Sequence, residues 1–166
     1  MRDGHYFGSL EVILHNVRSN HNVGSIFRTA DAAGFSKVYL CGITPAPTDK
    51  FQRPNRELAK VALGAQNFLQ WEKVRSTVGL IKKLKREGRT ILALEQSKQS
   101  IPYSKFGIRH SRFALVLGDE VRGLPRSVLN LADRILEIPM RGKKESLNVA
   151  VAFGVAAFSF INSARK

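Results

Sequence analysis

Apolar and polar positions change their period along this chain in a way that separates strands from helices. Short β-branched and aliphatic runs at 9–15 (Ser-Leu-Glu-Val-Ile-Leu-His) and Lys37–Cys41 predict strands. Thr90–Leu94 and Phe113–Leu117 are continuous apolar runs, the pattern of strands buried on both faces of a parallel sheet. A last strand is predicted over 135–138. Elsewhere the period is helical. Val23, Phe27, Ala30 and Gly34 fall at i, i+4, i+7 and i+11, which predicts a helix over 22–34 with Asn22 as N-cap and Gly34 as its stop. Residues 56–63 and 125–132 read as short helices. Residues 74–86 read as an amphipathic helix, with Val74, Val78, Ile81 and Leu84 inward and Lys82, Lys83, Lys85 and Arg86 outward. The stretch 42–54 carries Pro45, Pro47 and Pro54 without periodicity and is a loop. The alternation predicts one α/β domain over 1–166, a mostly parallel sheet with helices on both faces.

The final predicted helix, 147–164, is unusual. Residues 149–158 read Val-Ala-Val-Ala-Phe-Gly-Val-Ala-Ala-Phe, and a helix apolar all round must be buried all round. One side can face the core of so small a domain; the other is expected to face a second copy. Ala150, Ala152, Gly154, Ala156 and Ala157 allow close helix approach, so a homodimer is expected.

Composition narrows the partner. Among 166 residues, 27 Lys+Arg against 13 Asp+Glu leave a formal charge of +14, while 43% hydrophobic residues suffice for a core. The single Cys41 excludes an internal disulfide framework and a multi-cysteine zinc site, and His5, His15, His21 and His110 show no ligand spacing, so no metal is expected. The positive surplus points to a polyanion, nucleic acid before membrane. The most apolar stretch, 147–161, is interrupted by Asn148, Gly154 and Ser159 and is shorter than the roughly 20 residues a spanning helix needs. The start, Met1-Arg2-Asp3-Gly4-His5, is no signal peptide, and a soluble cytoplasmic protein is the expectation.

The common nucleotide signatures, G-x-x-x-x-G-K-[ST] and G-x-G-x-x-G, do not occur. Three other segments carry chemistry. Residues 16–30 pack Arg18, Arg28, three asparagines and Gly24 around a strand-to-helix turn that would suit a phosphate; a capped helix with two solvated arginines fits the same residues. Residues 115–125 form a buried strand ending in a glycine-flanked acidic turn, Gly118-Asp119-Glu120-Val121-Arg122-Gly123, where open parallel sheets bind ligands. Glu120 could meet a hydroxyl or a cation there, or simply pair with Arg122. In 138–150 a strand end leads through the basic loop Arg141-Gly142-Lys143-Lys144 to Ser146 and Asn148 at the start of the last helix, with Ser146 a candidate N-cap.

Together and in this order, the three segments resemble the signature of the SpoU (TrmH-like) branch of the SPOUT RNA methyltransferases. That signature runs N-x-x-[DS]-x-x-N-[IV]-G-x-[IL]-x-R-[TS]-x, then L-V-x-G-x-E-x-x-G-[LI], then I-P-M…S-L-N-[VL]-[AS]. The resemblance covers roughly residues 9–161. It implies a SPOUT-type α/β fold with a C-terminal trefoil knot, an exception to the rule that chains avoid knots. It also implies a homodimer through the first and last helices, S-adenosyl-L-methionine bound at the knot, and methyl transfer to a ribose 2′-hydroxyl of RNA. Residue by residue, it places Asn22 and Arg28 on the catalytic side, with Glu120, Ser146 and Asn148 at the polar positions of the second and third motifs. Leu94, Leu117, Gly118, Gly123, Ile138, Met140 and Leu147 fall at cofactor-holding strand ends, with Glu95 just beyond one. The family proposal makes the motif-one arginine, Arg28, the base; a guanidinium that stays protonated could instead orient the hydroxyl and its phosphate.

No separate RNA-binding domain is expected in this length, so RNA would be gripped by Arg18, Arg28, Arg53, Arg56, Arg141, Lys143 and Lys144, with Lys50 beside them. The Lys82–Arg86 charges fit a solvated helix face as well. Ala62–Ala65 and Trp71 look like a segment of tRNA-modifying relatives, which favours transfer RNA over ribosomal RNA. A non-catalytic RNA-binding protein on the same scaffold is the alternative class. Base methylation through Cys41 is a third, for which the sequence offers no activating partner.

Overall fold

Pattern alone says which strands are buried, and the computed structural model, which describes residues 9–106 and 112–163, shows how they are ordered. Seven parallel strands form one sheet: β1 Leu10–His15, β2 Lys37–Cys41, β3 Gln70–Val74, β4 Thr90–Leu94, β5 Ile101–Pro102, β6 Phe113–Leu117 and β7 Arg134–Glu137. Their spatial order is β3-β2-β1-β6-β4-β7-β5. The wholly apolar β6 lies at the centre between β1 and β4, with Val12 opposite Leu115 and Leu92 opposite the same residue.

Side chains alternate between two cores. On one face, Val12, Leu14, Val38, Leu40 and Leu115 pack beneath α1 (Asn20–Ala32), α2 (Arg56–Ala62), α3 (Ala65–Phe68) and the last helix, α6 (Val149–Ser163). On the other, Ile13, Tyr39, Ile91, Ala114 and Val116 pack beneath α4 (Thr77–Arg86) and α5 (Arg126–Leu129). Phe35, Phe113, Phe153 and Phe160 meet edge to face at the seam of α6 and the sheet. The helices on both faces match the pattern-based expectation.

Several boundaries differ from that expectation. Ser19, not Asn22, caps α1: its side chain accepts from the Asn22 N–H, which lets the helix start at Asn20 and leaves the Asn22 amide for other partners. Gly34 does end the helix in a left-handed turn, with φ of 76° and the Phe35 N–H returning to the Ala30 carbonyl. Val74 is not helical. It closes the edge strand β3, and Ser76 starts α4 by accepting from the Gly79 N–H. The last strand runs one residue earlier than expected at each end. The last helix starts at Val149 because Asn148, not Ser146, accepts from the Ala150 and Val151 N–H groups. Its predicted end at 164 lies outside the described residues. Among those residues, no helix is long and apolar enough to cross a membrane.

Candidate functional site

The carboxyl ends of β6, β4 and β7 open into a cleft of about 630 Å³, within the size of small-molecule sites. Three segments wall it, with Leu129 of α5: 94–96 at the end of β4, 117–124 at the end of β6, and the stretch from Glu137 to the first turn of α6. Leu94, Glu95, Leu117, Gly118, Gly123, Ile138, Met140 and Leu147, the eight residues expected to hold a cofactor, all line it, as do Glu120, Ser146 and Asn148.

The 118–124 loop is built by its own acidic residue. The Asp119 carboxylate accepts from the Val121 and Arg122 N–H groups, both at 2.8 Å, and from Arg18 Nε at 3.1 Å. The Arg122 N–H is the strongest of these influences and holds the Asp119 carboxyl below its usual value. Glycine is needed twice here. A Cβ on Gly118 would meet the Gly123 carbonyl carbon at 2.6 Å, and Gly123, at φ of 65°, lies so close to Glu95 that a Cβ would strike its carboxylate. Glu95 in turn accepts from the Leu124 N–H at 2.9 Å, tying the β4 end to the loop.

The polar rim is a relay of amides reaching across the chain. Asn148 Nδ2 donates to Asn22 Oδ1 at 3.0 Å, and Asn22 Nδ2 donates to Glu120 Oε1 at 3.1 Å. Glu120 also accepts from the backbone N–H groups of Arg18 (3.2 Å) and Ser19 (3.4 Å). Burial, the largest single influence, pushes the Glu120 carboxyl up, but the Asn22 amide and these N–H groups outweigh it and leave it below the usual value. Glu120 is therefore an ionised anchor for the 16–22 turn at neutral pH, and a weak base.

Two predicted groups stand apart from the cleft. Arg28 is exposed on α1, and no hydrogen bond or ion pair among the described residues joins it to Asn22 or Glu120. Arg53, Arg56, Arg141, Lys143 and Lys144 are exposed on loops or helix starts around the same carboxyl edge of the sheet, and only Arg53, through Asp49, has an ion-pair partner. Arg18 is engaged by Asp119. Sequence reading overlooked Asp119 as the organiser of its loop, although an aspartate two residues before free backbone N–H groups is a turn signal. It also overlooked Gln96, whose Nε2 donates to the Glu145 carbonyl at 2.6 Å and so pins the basic loop. No local signal marks that contact.

A parallel α/β sheet with a glycine-bearing cleft beyond its strand ends belongs to the class of open α/β proteins that bind nucleotide-sized ligands there. The chain belongs to the SpoU rRNA Methylase family, whose model matches residues 9–158. The 23S rRNA (guanosine-2'-O-)-methyltransferase RlmB of Ralstonia nicotianae is 33% identical over 92% of this chain and 58% of its own. The AdoMet-bound rRNA methyltransferase from Sinorhizobium meliloti matches with a TM-score of 0.83 at 29% identity, over 92% of this chain and 56% of that one. The A. aeolicus TrmH/SpoU tRNA modifying enzyme matches with 0.80 at 30%, over 93% and 75%. A structure described as giving insight into the 2-OH methylation of C/U34 on tRNA matches with 0.77 at 25%, over 94% and 96%. The chain thus spans a little over half the length of the ribosomal-RNA relatives it matches, and its α/β fold is that of the SpoU methyltransferases.

Proposed function

We propose that this chain is an S-adenosylmethionine-dependent RNA methyltransferase acting on a ribose 2′-hydroxyl. The observation that carries the reading is the cleft itself, whose apolar strand ends and close-packed glycine loop meet the Asn148–Asn22–Glu120 relay at one mouth. The residues suit the cofactor. Leu117, Ile138, Met140 and Leu147 offer an apolar slot for a purine, while the loop backbone at 118–124 and Glu95 offer polar partners for ribose and amino-acid groups. Bound there, S-adenosylmethionine supplies an electrophilic methyl group, and the chain's task is alignment, which can contribute roughly 7–11 kcal/mol. Glu120, ionised and accepting three hydrogen bonds, fixes the motif-one turn. Arg28 comes to the substrate from outside the relay, as a protonated guanidinium that orients the 2′-hydroxyl and an adjacent phosphate. The 138–148 segment, threaded as the family's knot, completes the cofactor wall.

Ribosomal RNA is the better supported substrate, because the similar curated relatives are named for 23S rRNA; the preference for transfer RNA drawn from Ala62–Trp71 gives way to it. Transfer RNA remains the second reading, favoured by the two tRNA-related structures, one of which matches over 96% of its own length. A homodimer belongs to the proposal. Val151, Val155 and Phe158 form an exposed apolar stripe on α6 at 52%, 36% and 44% exposure, next to α1.

The test is incubation with methyl-labelled S-adenosylmethionine and separate ribosomal and transfer RNA pools, then digestion to nucleosides. Label recovered as a 2′-O-methyl nucleoside from ribosomal RNA is expected. Label from transfer RNA alone selects the second reading. No cofactor uptake by calorimetry and no label in either pool leaves an RNA-binding protein and sinks the enzyme.

A further inference from the structure

The loop between β2 and α2 carries a feature that cofactor binding does not use. Residues 48–54 close a tight hairpin, with Thr48 bridged to Pro54 and the Asp49 N–H donating to the Arg53 carbonyl. The Asp49 carboxylate fills it, accepting from the Phe51 N–H (2.8 Å), the Arg53 N–H (3.0 Å) and Arg53 Nε (2.7 Å). Gln52, at φ of 62°, makes the turn. The hairpin's tip presents Phe51, 65% exposed, with Lys50 Nζ 5.0 Å and Arg53 Cζ 5.1 Å from its ring centroid.

A large aromatic ring has no packing reason to stand in water, yet five hydrogen bonds, the Gln52 N–H to the Asp49 carbonyl among them, hold its turn in one shape. The loop is also fastened to the cleft. Asn16 Oδ1 accepts from the Ile43 N–H, Thr44 Oγ1 accepts from the Val17 N–H, and Asn55 Nδ2 donates to Asn20 Oδ1. Residues 16–20 are the turn that Glu120 anchors. The strand feeding the loop, β2, is two places from β6 in the sheet, so its carboxyl end lies roughly 10 Å from the cleft mouth.

We propose that Phe51 is a stacking platform for an unpaired nucleobase of the RNA, with Lys50 meeting a flanking phosphate and Arg53 backing the ring. The proposal rests on the RNA-methyltransferase reading. A base offers a flat π-face to the ring whatever its identity, and cations beside an exposed aromatic are what single-stranded RNA recruits. Both cations lie over the ring: the Asp49 bond holds Arg53 there as a backing, while Lys50, with no ion pair among the described residues, leaves its place to the incoming base and meets a phosphate. The site therefore recognises an unstacked nucleotide near the modified one, and does so before any base-specific contact.

The experiment compares a labelled single-stranded 12-mer RNA of mixed sequence with a blunt duplex of the same length, by fluorescence anisotropy. Phe51→Leu keeps apolar bulk but no aromatic face; Phe51→Tyr keeps the face. Single-strand affinity should fall about 5- to 100-fold in Phe51→Leu and stay within about twofold in Phe51→Tyr, with duplex affinity unmoved in both. Matching thermal midpoints exclude misfolding. Unchanged single-strand affinity in Phe51→Leu overturns the platform, as does an equal loss in Phe51→Tyr or on the duplex. Failure of the wild-type chain to bind either RNA overturns the functional reading instead.

Discussion

The two edges of the sheet carry the same kinds of charged residue and treat them oppositely. At the amino edge three cations are matched to anions, while Lys82, Lys83, Arg86 and Arg134 have no ion-pair partner among the described residues. Arg89 reaches Glu11 at 3.1 Å and Glu87 at 3.5 Å, Lys37 reaches Glu72 at 2.6 Å, and Lys85 reaches Asp133 at 2.7 Å. At the carboxyl edge the acids Asp119 and Glu120 are held chiefly by backbone N–H groups and an asparagine amide, while Lys50, Arg56, Arg141, Lys143 and Lys144 have no ion-pair partner among the described residues. Pairing satisfies a charge inside the molecule. Unpaired cations around a cleft are free to meet a polyanion, which is the role proposed for them above.

The largest effect should come from α1, the helix that starts at the carboxyl edge. Arg28→Ala is expected to lower methyl transfer at least about 100-fold, as loss of a positioning contact does, while cofactor affinity by calorimetry stays close to wild type. Turnover near the wild-type rate would remove Arg28 from the mechanism. The matching break at the amino edge is Arg89→Ala. Glu11 is 3% exposed, and its Oε2 already has no partner, so losing Arg89 strands a buried carboxylate at about 3 kcal/mol. Chemical denaturation should show that loss with cofactor affinity intact. A stability change below about 1 kcal/mol would mean that Glu11 is satisfied without Arg89.

Salt dependence separates the two ends more finely. Replacing Arg141, Lys143 and Lys144 together by alanine should flatten the log–log slope of RNA affinity against salt by about 2. The same treatment of Lys82, Lys83 and Arg86 on α4 should leave the slope unchanged. Equal flattening in both would spread the RNA footprint over the whole surface and dissolve the distinction.

These edges were unequally legible in the sequence. Continuous apolar runs revealed β4 and β6 because both faces of those strands are buried. Edge strand β3 reads Gln-Trp-Glu-Lys-Val, whose half-exposed alternation looks like the lead-in to α4, and β5 has two residues. The start of α1 was ambiguous because Asn16, Ser19, Asn20 and Asn22 are all capping residues. Glu120 resolves it from far along the chain by fixing the Arg18 and Ser19 N–H groups. Motif glycines and acids marked the cleft well, since backbone crowding there admits little else. The relay joining Asn22 to Asn148 spans 126 positions, and the bonds fastening the 42–55 loop to the motif-one turn span 27 and 35; no local pattern encodes such separations.

The smallest effect, and the most selective, is a response to mild acid. Burial lowers the His15 pKa from its usual 6.5, with the Asp119 charge opposing. His15 sits at the carboxyl end of β1, its Nδ1 2.7 Å from Thr77 Oγ1. A histidine lowered in the folded state binds fewer protons there than in the unfolded chain, so its share of stability is present above 6.5 and falls away as pH drops towards the folded value. Other shifted groups lie outside this window. The Asp119, Glu120 and Glu72 carboxyls are lowered further into acid, and Lys37 and Arg89, raised at the amino edge, stay charged throughout. As pH falls from about 7.5 through 6.5 the thermal midpoint should therefore decline, and His15→Gln should remove the decline. An undiminished decline in that variant would move the sensitivity away from β1. Its disappearance would assign the mild-acid sensitivity to His15 at the carboxyl end of β1.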